Sequence, residues 1–195
     1  ELWESSQNVV KIIIARSLRN SKSYKLINFL KDNLGVGVFE IELEIATSLA
    51  YLDEDEGWDV LNEFLKNSNE TEKNLVIRKF SELKSYRAYE ALSKYLANKT
   101  QDEKSQAEAL KAIGEMKLVD SISNISKYLK SPILSIRLAA IKALGNINAY
   151  DSEKLLQTLI YDKDQYVRVA AEVALDKLRS GKEIFEKEPG YLTIE

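Results

Sequence analysis

Five carboxylates fall within seven residues at Asp53, Glu54, Asp55, Glu56 and Asp59. Two chemistries use such a cluster: oxygen ligation of a hard cation, and electrostatic docking of a basic surface. A calcium loop of the EF-hand type beginning at Asp53 needs glycine at its sixth position and a bidentate glutamate at its twelfth. Those positions hold Trp58 and Phe64, so that motif is rejected. What remains is a solvated acidic loop or a docking site for a basic partner. The imbalance is regional. Residues 32–72 hold one Lys/Arg against twelve Asp/Glu, whereas residues 1–31 hold six against two and residues 73–104 eight against four. Such a field steers a basic surface toward the acidic stretch and repels phosphates, so no nucleic-acid partner is expected.

Cysteine and histidine are both absent from the 195 residues. Thiolate nucleophiles, imidazole acid-base catalysis, disulfides and the usual zinc sites are therefore excluded, and no cofactor or metal site is expected. Gly35-Val36-Gly37 lacks the further glycines and the strand context of a phosphate loop. The longest aliphatic run, Ile12-Ile13-Ile14, is far too short to span a bilayer, and no signal-peptide pattern opens the chain. Absence of cysteine fits the cytoplasm without excluding an oxidising compartment. The chain opens at Glu1 instead of Met, which keeps open a soluble domain of a larger or membrane-anchored protein.

The elements that carry these residues repeat. Ile136-Arg137-Leu138-Ala139-Ala140 and Ala143-Leu144 return as Val167-Arg168-Val169-Ala170-Ala171 and Ala174-Leu175, offset by 31 residues throughout. Leu52 to Leu83, Leu65 to Leu96 and Leu129 to Ile160 give the same step, and Leu96 to Leu129 gives 33, an insertion near Lys99-Thr100-Gln101. Apolar residues at three- and four-residue intervals and only 7 Gly and 2 Pro make these segments helices. The spacing predicts an all-α solenoid of about five helix pairs, near residues 7–32, 39–67, 71–98, 101–130 and 132–161. A single helix over 165–180 and a tail over 182–195 follow. Expected caps are Ser131 with Pro132 at the first helical position, Thr100 with Glu103 as a capping box, Asp151 or Ser152, and Asp164. Gly181 is expected to close the last helix, and Leu34-Gly35-Val36-Gly37-Val38 to bend the chain after the first pair.

Aligned on this period, the second helices place Asn62, Ser93, Ser126 and Gln157 in one column. The next column holds Glu63, Lys94, Lys127 and Thr158. These eight are the candidate binding residues. A further column, Phe29, Phe64, Tyr95, Tyr128 and Leu159, reads as packing between repeats, and Trp3 and Trp58 as covers over the core.

The pattern Asp-x-x-x-Val-Arg-x-x-Ala-x-x-Ala-Leu resembles a HEAT repeat of the short bacterial and archaeal variety, the type named for phycobilisome lyases. It stands here as Tyr166-Val167-Arg168, Ala171, Ala174 and Leu175, preceded by Asp162 and Asp164, and as Ile136-Arg137, Ala140, Ala143, Leu144 and Gly145. The match is strong over residues 101–179 and weaker before them. The resemblance implies a right-handed superhelix whose second helices line a concave face. It also implies structural roles for Arg137, Arg168 and Asp164. HEAT-like enzymes include diiron hydroxylases, which need the histidines this chain lacks, bilin lyases, and DNA glycosylases with a basic groove carrying Trp and Asp. Trp58-Asp59 stands instead in the most acidic stretch. The expectation is a non-enzymatic scaffold that binds another protein, or another domain of its own polypeptide, through the concave face and the acidic second repeat. A regulatory arm of a larger protein is the alternative, and nothing in the sequence sets the oligomeric state.

Overall fold

The computed structural model describes Trp3 and residues 6–21, 23–98 and 102–186. Among them every regular element is helical. The helices group into two compact units, Glu1–Leu83 and Lys84–Glu195, and the boundary falls inside the third predicted pair. The predicted insertion at Lys99-Thr100-Gln101, the Thr100 half of its capping box, and residues 187–195 lie outside the described residues.

Unit 1 contains α1 (Asn8–Ser17), α2 (Tyr24–Asp32), α3 (Phe39–Tyr51), α4 (Asp55–Asn67) and α5 (Glu70–Leu83). Its centre is α3, where every residue from Leu43 to Ala50 is buried. Ile41, Ile45 and Leu49 pack with Trp3, Ala15, Ile27 and Leu30 in one cluster. Trp58 and Phe80 fill the other side, ring centroids 6.3 Å apart. Gly57 lets α4 close onto α3, because a Cβ there would lie 2.5 Å from the Ala46 carbonyl oxygen. The bend predicted after the first pair is present, with Gly35 and Gly37 at φ +84° and +76°, a region closed to most side chains.

Unit 2 contains α6 (Tyr86–Ala97), α7 (Glu103–Met116), the short α8 (Ile122–Ser126), α9 (Leu134–Asn146), α10 (Tyr150–Leu159) and α11 (Gln165–Glu186). The first helices α7, α9 and α11 stack in order. Ala109, Ala140 and Ala171 are fully buried between them. Gly114 and Gly145 bring the backbones closer still: a Cβ at Gly114 would sit 2.4 Å from Ala143 Cα, and one at Gly145 2.8 Å from Ala174 Cβ. The aromatic column packs as expected, with Tyr95 buried and Tyr128 Oη donating to the Leu96 carbonyl at 3.1 Å.

Several predicted helix ends move. The helix expected from Ser131 begins at Leu134, since the Ser131 and Pro132 carbonyls are taken by Arg137 Nη1. Ser131 Oγ still accepts from the Ile133 N–H. Neither Asp151 nor Ser152 caps α10, which starts one residue earlier at Tyr150 with Ala149 in the capping position. Asp102, absent from the predicted capping box, caps α7 by accepting from the Ser105 N–H at 2.7 Å. The last helix runs through Gly181 to Glu186 instead of closing at glycine. The fourth pair's second helix is broken into Val119–Ser121, Ile122–Ser126 and Lys127–Lys130, the outer two being 3-10 turns. Serine is a poor helix former that competes with the backbone for hydrogen bonds. Ser121 Oγ donates to the Leu118 carbonyl and Ser126 Oγ to the Ser123 carbonyl.

Candidate functional site

The repeated arginines work at fixed places. Arg137 Nη1 donates to the Ser131 and Pro132 carbonyls at 2.9 and 3.2 Å. One period on, Arg168 Nη1 donates to the Asp162 and Lys163 carbonyls at 2.7 and 3.1 Å. Each guanidinium thus ties its helix to the loop that leads into it. Arg137 Nη2 also reaches Asp164 Oδ2 at 2.8 Å, while Asp164 Oδ1 accepts from the Tyr166 N–H and caps α11. These donors are consumed by the fold.

Of the eight column residues, Asn62 and Glu63 are exposed on α4 in unit 1 and the other six stand in unit 2. Ser126 and Thr158 come together in a cleft of about 660 Å³ between α8 and α10, with Asp120, Asp151 and Lys154 around it and Val119, Ile122 and Leu155 as its apolar lining. Both hydroxyls are turned back on their own helices, Thr158 Oγ1 donating to the Leu155 carbonyl at 2.7 Å. Their remaining capacity is to accept. Lys127 and Gln157 are exposed on the same segments outside that lining. Ser93 leaves the column: its Oγ is buried with no hydrogen-bond partner among the described residues. Lys94 beside it is exposed.

The acidic stretch is partly neutralised. Asp53 turns the chain at φ +63°, and Lys31 of α2 reaches Glu54 Oε2 at 2.7 Å and Glu56 Oε1 at 2.9 Å. The hydrogen bond from Lys31 holds the Glu56 carboxyl below the usual carboxylate range. The bonds that Lys31 donates to Glu54 and Glu56 raise its ammonium above its ordinary value. Asp53, Asp55 and Asp59 remain exposed. Among the described residues no group of carboxylates is arranged to hold a metal ion. Trp58 beside this stretch is 2% exposed, so it serves the core and does not face a ligand.

One cluster escaped the sequence reading. Glu44, its side chain 3% exposed, accepts from Arg16 Nε and Nη2 at 3.0 and 3.1 Å, from Lys79 Nζ at 2.9 Å and from Arg19 Nη2. Glu82 lies at the edge, 3.2 Å from Lys79. Burial pushes the Glu44 carboxyl up, but the bonds from Arg16 and Lys79 and the charges of Lys79 and Arg19 outweigh it, so it is held below the usual range. The carboxylate joins α1, α3 and α5, and three cations leave it no lone pair for chemistry. The available signal was a lone charge within the mostly apolar Leu43–Leu49 run, with Arg16/Arg19 and Lys79/Glu82 each at helical spacing. Among the described residues no helix is long and apolar enough to cross a membrane.

Residues 89–176 match the family described as HEAT repeats. Solved structures of similar fold include the archaeal HEAT-like repeats protein from Thermococcus onnurineus NA1. It is 14% identical over 92% of this chain and 78% of that chain, with TM-score 0.54. Human deoxyhypusine hydroxylase in complex with glycerol is 15% identical over 91% and 82%, TM-score 0.52. A designed armadillo repeat protein in complex with peptide (KR)4 is 17% identical over 88% and 91%, TM-score 0.51. No curated protein matches the sequence. What these structures share with this chain is an all-α HEAT-like solenoid fold.

Proposed function

We propose that this chain, a HEAT-like repeat protein, acts as a non-enzymatic scaffold that binds another protein or another part of its own polypeptide. The observation that carries the reading is the cleft between α8 and α10. It sets Asp120, Asp151 and Lys154 around an apolar lining of Val119, Ile122 and Leu155. A polar, mixed-charge rim around apolar area is the composition of a protein interface. The Ser126 and Thr158 hydroxyls are donated to backbone carbonyls, so neither is an activated nucleophile, and the cleft offers shape and charge. The (KR)4 peptide held by the designed armadillo protein supports a peptide-binding use of such stacked helices. The exposed Asp53, Asp55 and Asp59 give unit 1 a second surface, suited to a basic segment.

The test is chemical crosslinking and affinity capture in the native cell with the wild-type chain, a Ser126→Arg/Thr158→Arg variant and an Asp55→Lys/Asp59→Lys variant. A partner held by the wild type and lost from the first variant is expected. The reading fails if no protein is retained specifically, or if every retained protein is indifferent to both variants. Comparing the circular dichroism of the three proteins separates loss of binding from loss of fold.

A further inference from the structure

We propose that a third surface, the groove between α9 and α11, docks an amphipathic helical segment of another protein that carries carboxylates beside its apolar stripe. The groove has a volume of about 840 Å³ and belongs to the first helices, not to the α8–α10 cleft. Ile141, Gly145 and Ala174 are buried at its base. Its open lip is Tyr166, Val169 and Val173, which are 60%, 57% and 64% exposed. Three large apolar side chains this exposed beside one another leave apolar area that a partner can bury.

The repeat shows why the lip is unusual. One period earlier Tyr166 corresponds to Ser135 and Val173 to Lys142, so at these two positions α11 is apolar where α9 is polar. A following repeat packed in the same way is not the occupant. Ile141 and Gly145, which receive α11, are answered on α11 by Glu172 and Asp176. A helix packed against that face as α11 packs on α9 would have to bury two carboxylates.

Charge selects among the remaining occupants. Lys142 and Lys177 flank the groove, and among the described residues that line it none is acidic. Lys177 is held by Asn146 Oδ1 at 2.5 Å, which fixes one ammonium at the groove's end. A second copy presenting the same face would set lysine against lysine. A segment with Asp or Glu beside its apolar residues meets both cations. The lining of α11 runs from Gln165 to Lys177, roughly 18 Å of helix, enough for about twelve residues of a partner helix laid alongside.

The experiment titrates the full chain, labelled at Ile, Leu and Val methyl groups, with two synthetic helical peptides. They share one leucine stripe and differ only in having Glu or Lys beside it. The Glu peptide is expected to shift the Ile141, Val169 and Val173 methyls and to bind about tenfold more tightly than the Lys peptide, the ratio two exposed ion pairs can supply. Lys142→Glu with Lys177→Glu should invert that preference. Val173→Lys, which restores the residue of the preceding repeat, should weaken both peptides. The proposal is overturned if neither peptide moves those methyls or if both bind equally. It is also overturned if the chain dimerises through this face, or if truncation after Glu186 alone shifts the same methyls, which would assign the groove to residues 187–195.

Discussion

Arg137 of α9 and Asp164 at the start of α11 meet at 2.8 Å, and each has a second task on its own side of the contact. Arg137 closes the loop before α9 through the Ser131 and Pro132 carbonyls, and Asp164 caps α11. The pair therefore couples two helix starts across a repeat interface, and both side chains are occupied in holding the fold. Asp164→Ala removes the cap and one partner of a half-buried pair. A loss of about 1–2 kcal/mol is expected, and Asp164→Asn, which keeps the cap, should recover most of it. Urea unfolding of the three proteins measures the split. Equal losses from Ala and Asn would show that the ion pair, not the cap, dominates.

Gly114 and Gly145 make a steeper prediction. A methyl at either position meets another helix at 2.4 Å and 2.8 Å respectively, closer than any relaxed contact. In an exposed helix Gly→Ala stabilises. Here the added carbon must push α7 from α9, or α9 from α11, and overpacking of this kind costs about 1–3 kcal/mol. Gly114→Ala should cost more, since its obstacle is Ala143 backbone, whereas Gly145 meets chiefly the Ala174 side chain. Thermal unfolding orders the two variants. An increase in Tm for either would contradict the packing described.

Asp102 and Ser131 separate a working cap from an expected one. Asp102→Ala leaves the Ser105 N–H without its 2.7 Å acceptor and should cost about 1 kcal/mol. Ser131→Ala loses only the 3.2 Å contact with the Ile133 N–H in a loop that Arg137 already holds. It should therefore cost less. Reversal of that order in equilibrium unfolding would refute the assignment.

These contrasts show where the sequence was readable. The 31-residue period from Arg137 to Arg168 is a direct imprint of packing, because each repeat meets the next through the same small and apolar positions. Helix existence followed from it. Helix ends did not, since they depend on which local hydrogen bond wins: at Ser131 an arginine six residues on takes the carbonyl, and at Val119–Lys130 serine hydroxyls divide one helix into three pieces. Ser126 and Thr158, from neighbouring columns, share a cleft, whereas Ser93 in the column of Ser126 is turned inward. Glu44 was hidden for a different reason. Its partners are distant in sequence at Arg16, Arg19 and Lys79, and no periodicity links a charge to cations on two other helices.

That buried carboxylate yields the pH dependence. Its pKa is lowered in the folded chain, so the folded state releases this proton more readily than the unfolded state does. The stabilisation it supplies is fully present above the unfolded carboxylate pKa, about 4.3. It is lost as pH falls through the lower folded value. Glu44→Gln leaves Arg16, Arg19 and Lys79 facing a neutral amide. Removing one partner of a buried ion pair costs roughly 3–5 kcal/mol. The low end is expected here, because the side chain of Arg16 is 57% exposed and can turn to water. The difference in unfolding free energy between wild type and Glu44→Gln should be largest near neutral pH and shrink on acidification below the unfolded carboxylate pKa. Glu82→Gln, at the edge of the cluster with its side chain 47% exposed, should cost far less at every pH. Urea titrations of the three proteins across that range measure it. A Glu44→Gln penalty that does not change with pH would mean that the carboxylate acts by packing and not by charge.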